Sequence, residues 1–242
     1  MCVLSNNLLI AACYDKIVIY DENFDEIRRI SEINKQEICS TSVTVNEKNQ
    51  IYICNIIIEN KSQIVQTDIN FNQIKSYTSD GCFTSIKYKN ELLYICNSEK
   101  KELVILDKNL NFLKVHLLDY NPLTIIVNDE SICIRSLSMH LPHHKKDVTD
   151  LNFYDVKTFQ LHSHHRADGN YCVTEDDLLF LSLNPVKMEF CFFNHEGVFI
   201  EAFNLNRIEN FVSTKSFILY YRAKILVIQS DVTRSSSVLY CL

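Results

Sequence analysis

Tryptophan is absent from this sequence, and glycine, proline and methionine occur only three times each. With so little glycine there is no phosphate-cradling glycine-rich loop. Tight turns must fall to Asn, Asp, Ser and Lys, of which Asn and Asp tolerate turn geometry through hydrogen bonds to their own backbone. None of the ten cysteines forms a Cys-x-x-Cys pair, which removes zinc ribbons and thioredoxin-type redox sites. Ring-finger Cys/His spacing and heptads are missing as well. No run approaches the length of a membrane span. The opening, MCVLSNNLLIAACYDK, has no basic segment, and Ser5, Asn6 and Asn7 interrupt its apolar run, so a secretory leader is not expected. The formal net charge of -6 gives no general reason to expect nucleic acid, although local patches can differ.

What is present is globular: 242 residues, 47% hydrophobic and 22% charged, enough for one sizeable core or two small ones. Cys13, Cys54, Cys96, Cys133, Cys191 and Cys241 lie inside apolar runs, the pattern of small buried thiols in a reducing compartment. The expectations are a cytoplasmic chain that needs no cofactor and no membrane.

The stretch LLYICNSEKKELVILDKNLNFLKV, Leu92 to Val115, reads as three short strands joined by two polar turns. Its first strand has an upstream echo: Ile51-Tyr52-Ile53-Cys54-Asn55 against Leu93-Tyr94-Ile95-Cys96-Asn97. The two copies lie roughly 42 residues apart, a repeat-protein spacing. With the unit written as strands a, b, c and d, strand b opens at Leu8, Ile51, Leu92, Ser131, Leu178 and Phe217. Strand c follows at Lys16–Tyr20, Gln63–Thr67, Glu102–Leu106, Leu151–Tyr154, Glu189–Phe193 and Lys224–Ile228. A polar turn comes next, at Asp21, Asp68, Asp107, Asp155, Asn194 and near Asp231, and strand d closes the unit with Ile27, Ile74, Leu113, Leu161, Ile200 or Val238. Strand a is less uniform and is placed at Cys2–Leu4, Thr41–Val45, Phe83–Tyr88, Leu123–Val127, Tyr171–Thr174 and Phe211–Thr214.

Copies of four short strands without helical periodicity predict an all-β fold, a six-bladed β-propeller of four-stranded antiparallel blades. The expected blades span about 1–33, 38–79, 82–119, 123–165, 170–205 and 210–242, in a single domain over 1–242. Runs such as LVIL do not alternate cleanly, as expected where both faces of every sheet are covered by neighbours. With the chain read as beginning at strand a and finishing at strand d, the first and last blades are expected to meet by packing alone; if Cys2–Leu4 is too short to pair, the carboxyl end supplies a strand instead.

These segments resemble the NHL repeat, best known from the C-terminal domains of TRIM-NHL proteins. NPLTIIVNDESICI (Asn121–Ile134) is similar to that motif's strand a, with Pro122 at its proline position. IYICN and LYICN resemble strand b, with Asn55 and Asn97 where the motif often has Asp, and IVIYDENFDEI and LVILDKNLNFL resemble the c–d hairpin. The likeness covers nearly the whole chain. It departs from the motif in its scarce glycines and in most blades lacking the proline. WD40 blades are disfavoured by the missing tryptophan, and kelch blades by the missing glycine pairs. The resemblance implies a domain that binds protein or RNA on one face, often joined to ubiquitin-ligase modules, so any ligase chemistry must come from another chain.

In a propeller the b–c and d–a loops share one face. Expected there are Tyr14, Lys16, Lys61, Lys100, Lys101, Lys145, Lys146, Arg166, Lys187, Arg222 and Lys224, a partner-binding surface for a protein. The alternative is RNA, for which Tyr14 and Tyr221 are the obvious stacking residues. The opposite face gathers Asp21, Glu22, Asp25, Glu26, Glu47, Asp68, Glu91, Asp107 and other acids. His140, His143 and His144 fall in a long b–c insertion, and His162, His164 and His165 at the end of strand d and the loop after it. Six imidazoles on one face are a candidate metal site, read more simply as a polar loop, since Lys145 and Lys146 repel a cation. Protonation below about pH 6.5 makes the patch positive. Ser42, Thr44, Thr84, Ser85, Thr124, Thr174 and Ser213 line the expected channel as hydroxyls without a base, so the chain is read as a monomeric binding module and not as an enzyme.

Overall fold

The computed structural model describes the backbone of this chain except residues 1, 14, 24, 59, 138–147, 169–170, 174–178, 185–188, 195–197, 205–215, 222–223, 232–235 and 242. Side chains are further left undescribed at 58, 137, 148–149, 165–193, 199 and 201–242. The chain forms two compact units, Met1–Val127 and Asn128–Leu242. Among the described residues no helix is long and apolar enough to cross a membrane.

In the first unit, three four-stranded antiparallel sheets follow one another. The first holds β1 (Cys2–Val3), β2 (Leu9–Cys13), β3 (Lys16–Tyr20) and β4 (Glu26–Ile30). A two-stranded hairpin follows, β5 (Glu32–Ile33) with β6 (Gln36–Glu37). The second sheet holds β7 (Ser40–Val45), β8 (Ile51–Ile58), β9 (Lys61–Thr67) and β10 (Gln73–Asp80). The third holds β11 (Phe83–Lys89), β12 (Leu92–Asn97), β13 (Glu102–Asp107) and β14 (Phe112–Leu117), and β15 (Pro122–Val127) ends the unit.

The core explains why the strands do not alternate polar and apolar. In β8, Ile51 and Ile53 enter one apolar cluster with Ile10, Ile17, Ile19, Val43 and Val65. Tyr52 and Cys54, on the other face, enter a second cluster with Ile64, Ile86, Leu93, Ile95 and Val104. Successive residues of a strand point to opposite faces, so a sheet covered on both sides needs an unbroken apolar run. The Ile51–Cys54 echo is that requirement written into sequence.

The c–d turns share one mechanism. Asp21 Oδ1 accepts the N–H groups of Asn23 and Asp25, Asp68 Oδ1 those of Asn70 and Asn72, and Asp107 Oδ1 those of Asn109 and Asn111, all at 2.8–2.9 Å. Three residues after Asp68 and Asp107, Phe71 and Leu110 take φ of 66° and 61° and bury their side chains. Asn supplies the left-handed conformation at Asn7, Asn49, Asn60 and Asn90, where glycine is the usual residue.

In the second unit, β16 (Ser131–Leu137), β17 (Val148–Asp155) and β18 (Leu161–Asp168) pair in order. A four-stranded sheet follows, β19 (Tyr171–Val173), β20 (Leu179–Asn184), β21 (Glu189–Asn194) and β22 (Phe199–Asn204), and then β23 (Ser216–Tyr221), β24 (Lys224–Asp231) and β25 (Ser236–Cys241). The inner strand expected at Phe211–Thr214 lies outside the described residues. Cys54, Cys96 and Cys133 are fully buried, and burial pushes their thiols well above the ordinary range. The seven cysteines whose side chains are described are free.

Candidate interaction surface

In the first unit the b–c loops and d–a connections come together by direct hydrogen bonds. Gly81 N–H donates to Asn60 C=O at 2.7 Å, Ser98 N–H to Cys82 C=O at 2.9 Å, and Leu118 N–H to Lys101 C=O at 2.8 Å. Two asparagines clamp this end. Asn55 Oδ1 accepts the Cys39 N–H at 2.6 Å, and Asn97 Oδ1 accepts the Cys82 N–H at 3.1 Å. These are the last residues of the two echoed pentapeptides, so Asn stands there as a backbone acceptor. Asn97 also donates to the Asp80 carbonyl at 3.2 Å. Gly81 fits between them with φ of +106°, and a Cβ on it would sit 2.3 Å from Asn97 Oδ1.

Lys61, the first residue of β9, and Lys100 are exposed on this clamped frame, and Lys101 is half-buried at φ of 55°. None of the three makes a side-chain hydrogen bond or ion pair among the described residues. Lys16, at the start of β3, lies 3.7 Å from Asp15. Four of the expected surface residues are thus brought to one end of the first unit. Arg166 and Lys224 are placed by backbone only, in β18 and β24, and Tyr14, Lys145, Lys146, Lys187 and Arg222 lie outside the described residues.

The acids at the a–b and c–d end are turn ligands. Besides the Asp turns, Tyr88 OH donates to Glu47 Oε2 at 2.7 Å, Lys108 pairs with Glu91, and Arg29 Nη2 lies 2.8 Å from Glu26 Oε2. Tyr52 OH donates to the Lys108 carbonyl at 2.8 Å, accepts from Asn46 at 3.1 Å, and stacks on Tyr88 at 6.0 Å. Burial pushes its hydroxyl up to about 12. The Asn72 side-chain amide, and then its backbone N–H, hold the Asp68 carboxyl below its usual range. At Asp155 the Thr158 N–H and hydroxyl do the same.

The inner-strand hydroxyls have a different employment from the one expected of channel-lining groups. Thr41 Oγ1 donates to the Phe83 carbonyl at 2.8 Å, and Thr84 Oγ1, its counterpart one sheet on, donates to the Pro122 carbonyl at 3.1 Å. Ser42, Thr44 and Ser85 accept the N–H groups of Ile86, Tyr88 and Ile125 at 3.1–3.3 Å. These hydroxyls stitch β7 to β11 and β11 to β15. Sequence reasoning missed the seam, and its signal was the Thr-Ser pair repeated at 41–42 and 84–85. Thr174 and Ser213 lie outside the described residues.

The histidine placement also differs from expectation. The segment read as a strand end and loop is the strand β18, paired from Tyr154↔Leu161 through Val148↔Asp168. The pairing with β17 draws this polar run into the sheet. His162 therefore sits at the c–d end, with Nε2 3.8 Å from Asp155 Oδ2, and His164 Nε2 lies 3.4 Å from Asp150 Oδ1. At about 3.3 Å per residue, His162 stands roughly 20 Å from the b–c end of its strand. The imidazoles are strung along β18 and not gathered at one end. His165 is placed there by backbone only, and His140, His143 and His144 lie outside the described residues. Among the described residues no three His, Cys, Asp or Glu side chains are grouped to hold a metal.

No family model matches the chain, and no curated protein sequence matches it. Solved structures do resemble it. The WD40 domain of Neurospora crassa Pan2 aligns over 99% of this chain and 76% of its own, with 8% identity and a TM-score of 0.64. The β-propeller domain of Myceliophteria thermophila Cps50 (Swd1) aligns over 100% and 96%, with 10% identity and a TM-score of 0.58. Kuenenia stuttgartiensis hydrazine synthase aligns over 100% of this chain and 64% of its own, with 10% identity and a TM-score of 0.57. A likeness this distant shows a shared fold alone, and an enzyme stands among these structures. The four-stranded antiparallel sheets, the stitched inner strands and these neighbours together make the fold a β-propeller.

Proposed function

We propose that this chain is a non-catalytic interaction module, a six-bladed propeller that holds a protein partner on its b–c/d–a end. The observation that carries the reading is the rigid frame of Asn55, Asn97 and Gly81 beneath Lys61, Lys100 and Lys101, cations with no ion pair among the described residues. An acidic protein surface fits such a frame, since charge pairs across an interface set partner choice and encounter rate. The inner hydroxyls, the groups nearest to a nucleophile on the inner strands, already serve as stitches. The link to ubiquitin ligases that an NHL-type ancestry implies rests on the motif likeness alone, and its ligase activity would come from another chain.

The test is affinity capture with the full chain, comparing the native sequence with a Lys61→Glu/Lys100→Glu/Lys101→Glu variant and with a control in a c–d turn at the opposite end, Glu22→Lys. A defined protein retained by the native chain and the control, and lost from the triple variant, supports the reading. Capture that is abolished by ribonuclease makes the ligand RNA. Equal capture by all three chains moves the site elsewhere.

A further inference from the structure

Outer strands of sheets carry unpaired backbone groups, and folded proteins guard them with charge or polarity. β4 is guarded by Glu26, Arg28 and Arg29, and β10 by Lys75, Ser76, Thr78, Ser79 and Asp80. β14 is different. Its sequence FLKVHL leaves Phe112 54%, Leu113 50%, Val115 41% and Leu117 79% exposed, with Lys114 as its one permanent charge. Leu118 N–H turns inward to the Lys101 carbonyl. By antiparallel alternation His116 and Lys114 also face β13, while Leu117 and Val115 turn their N–H and C=O groups away from the sheet. The pairs Glu102↔Leu117 and Val104↔Val115 are then the non-hydrogen-bonded ones, and the outward groups are ready for another strand.

Lys114 is the odd member of a repeated position. Each outer strand of the first unit places a cation seven residues after its turn Asp: Arg28 after Asp21, Lys75 after Asp68, Lys114 after Asp107. Arg28 reaches the Asn70 carbonyl at 3.3 Å and lies 5.5 Å from the Phe71 ring centroid. Lys75 reaches the Asn109 carbonyl at 2.5 Å and Asn111 Oδ1 at 3.2 Å. Lys114 makes no hydrogen bond or ion pair among the described residues.

We infer that β14 is a docking edge for an extended segment of another protein, a strand of alternating apolar residues that carries a carboxylate opposite Lys114. The backbone of Val115 and Leu117 would supply the ladder, the exposed apolar side chains would supply burial, and the unspent cation would select the acidic strand. A second copy of this chain fits poorly, because β14 brings another lysine and no carboxylate to the seam. The edge adjoins Lys101 at its Leu117 end, but its charge selection rests on Lys114 and does not need the b–c lysines.

The experiment uses the full chain and two fluorescent eight-residue probes of alternating valine and threonine, one with a central glutamate and one with a central lysine. Opposite-charge cross-strand pairs help and like-charge pairs hurt, so anisotropy should show the glutamate probe binding about tenfold tighter than the lysine probe. Lys114→Glu should reverse that order. Val115→Pro removes only an outward N–H, so it should abolish both binding curves while leaving the urea unfolding midpoint in place. Equal binding of the two probes to the native chain, or binding that survives Val115→Pro, overturns the inference. So does concentration-dependent self-association that Val115→Pro relieves, which would make the occupant a second copy.

Discussion

The two ends of the strands in the first unit use their polar residues in opposite ways. At the a–b and c–d end, Asp21, Asp68 and Asp107 each hold two backbone N–H groups, Glu47 takes the Tyr88 hydroxyl, and Glu91 takes Lys108. At the b–c and d–a end, two asparagines close the backbone, and Lys61, Lys100 and Lys101 make no side-chain hydrogen bond or ion pair among the described residues. Formal charge alone makes the acidic end the prominent one. Geometry reverses that ranking, because a carboxylate already accepting turn N–H groups has little left to offer a partner. Recognition is better sought among groups that folding has left unspent.

This contrast can be broken at its clamp, with the largest effect expected at Gly81. Gly81→Ala forces a left-handed alanine against Asn97 and should lower stability by about 3 kcal/mol in urea unfolding. A loss below about 0.5 kcal/mol would show that the clamp yields freely, and the frame would no longer be rigid. Thr44→Val tests the inner seam. It takes the acceptor from the buried Tyr88 N–H and should cost about 1–2 kcal/mol, while k-values of partner binding stay unchanged.

The acidic end is sharpened by pH. The Asp68 and Asp155 carboxyls lie below their usual range, so the folded state binds protons less readily than the unfolded chain. Their contribution is present above the ordinary carboxylate range and is lost as pH falls through the folded values. The urea midpoint should therefore drop on acidification, and Asp68→Asn should reduce that drop. The smallest effect is expected at the other end: Lys61→Glu and Lys100→Glu should leave the midpoint where it was, because these side chains hold nothing in the fold. A large shift from either would make the lysines structural and remove the contrast.

Much of this was legible because it is local. Apolar runs covered on both faces, and an Asp at each c–d turn, are written within a few residues of where they act. The β5–β6 hairpin was not legible, since its turn uses Asn34 and Lys35, both at positive φ, without the glycine that usually marks such a turn. The hydroxyl seam was not legible because the partners of Thr41 and Thr84 lie on the next sheet, 42 and 38 residues on. Polar residues of β18 read as loop until β17 pairs with them. Lys114 repeats the spacing of Arg28 and Lys75 from the turn Asp, and only the folded contacts of those two set it apart.

Amide hydrogen exchange of the full chain, with and without the protein it captures, tests the central claim most directly. The account predicts new protection over residues 59–61 and 98–101, with the Asp68 and Asp107 turns exchanging as before. Protection confined to those Asp turns, with the lysine-bearing loops unchanged, would contradict it.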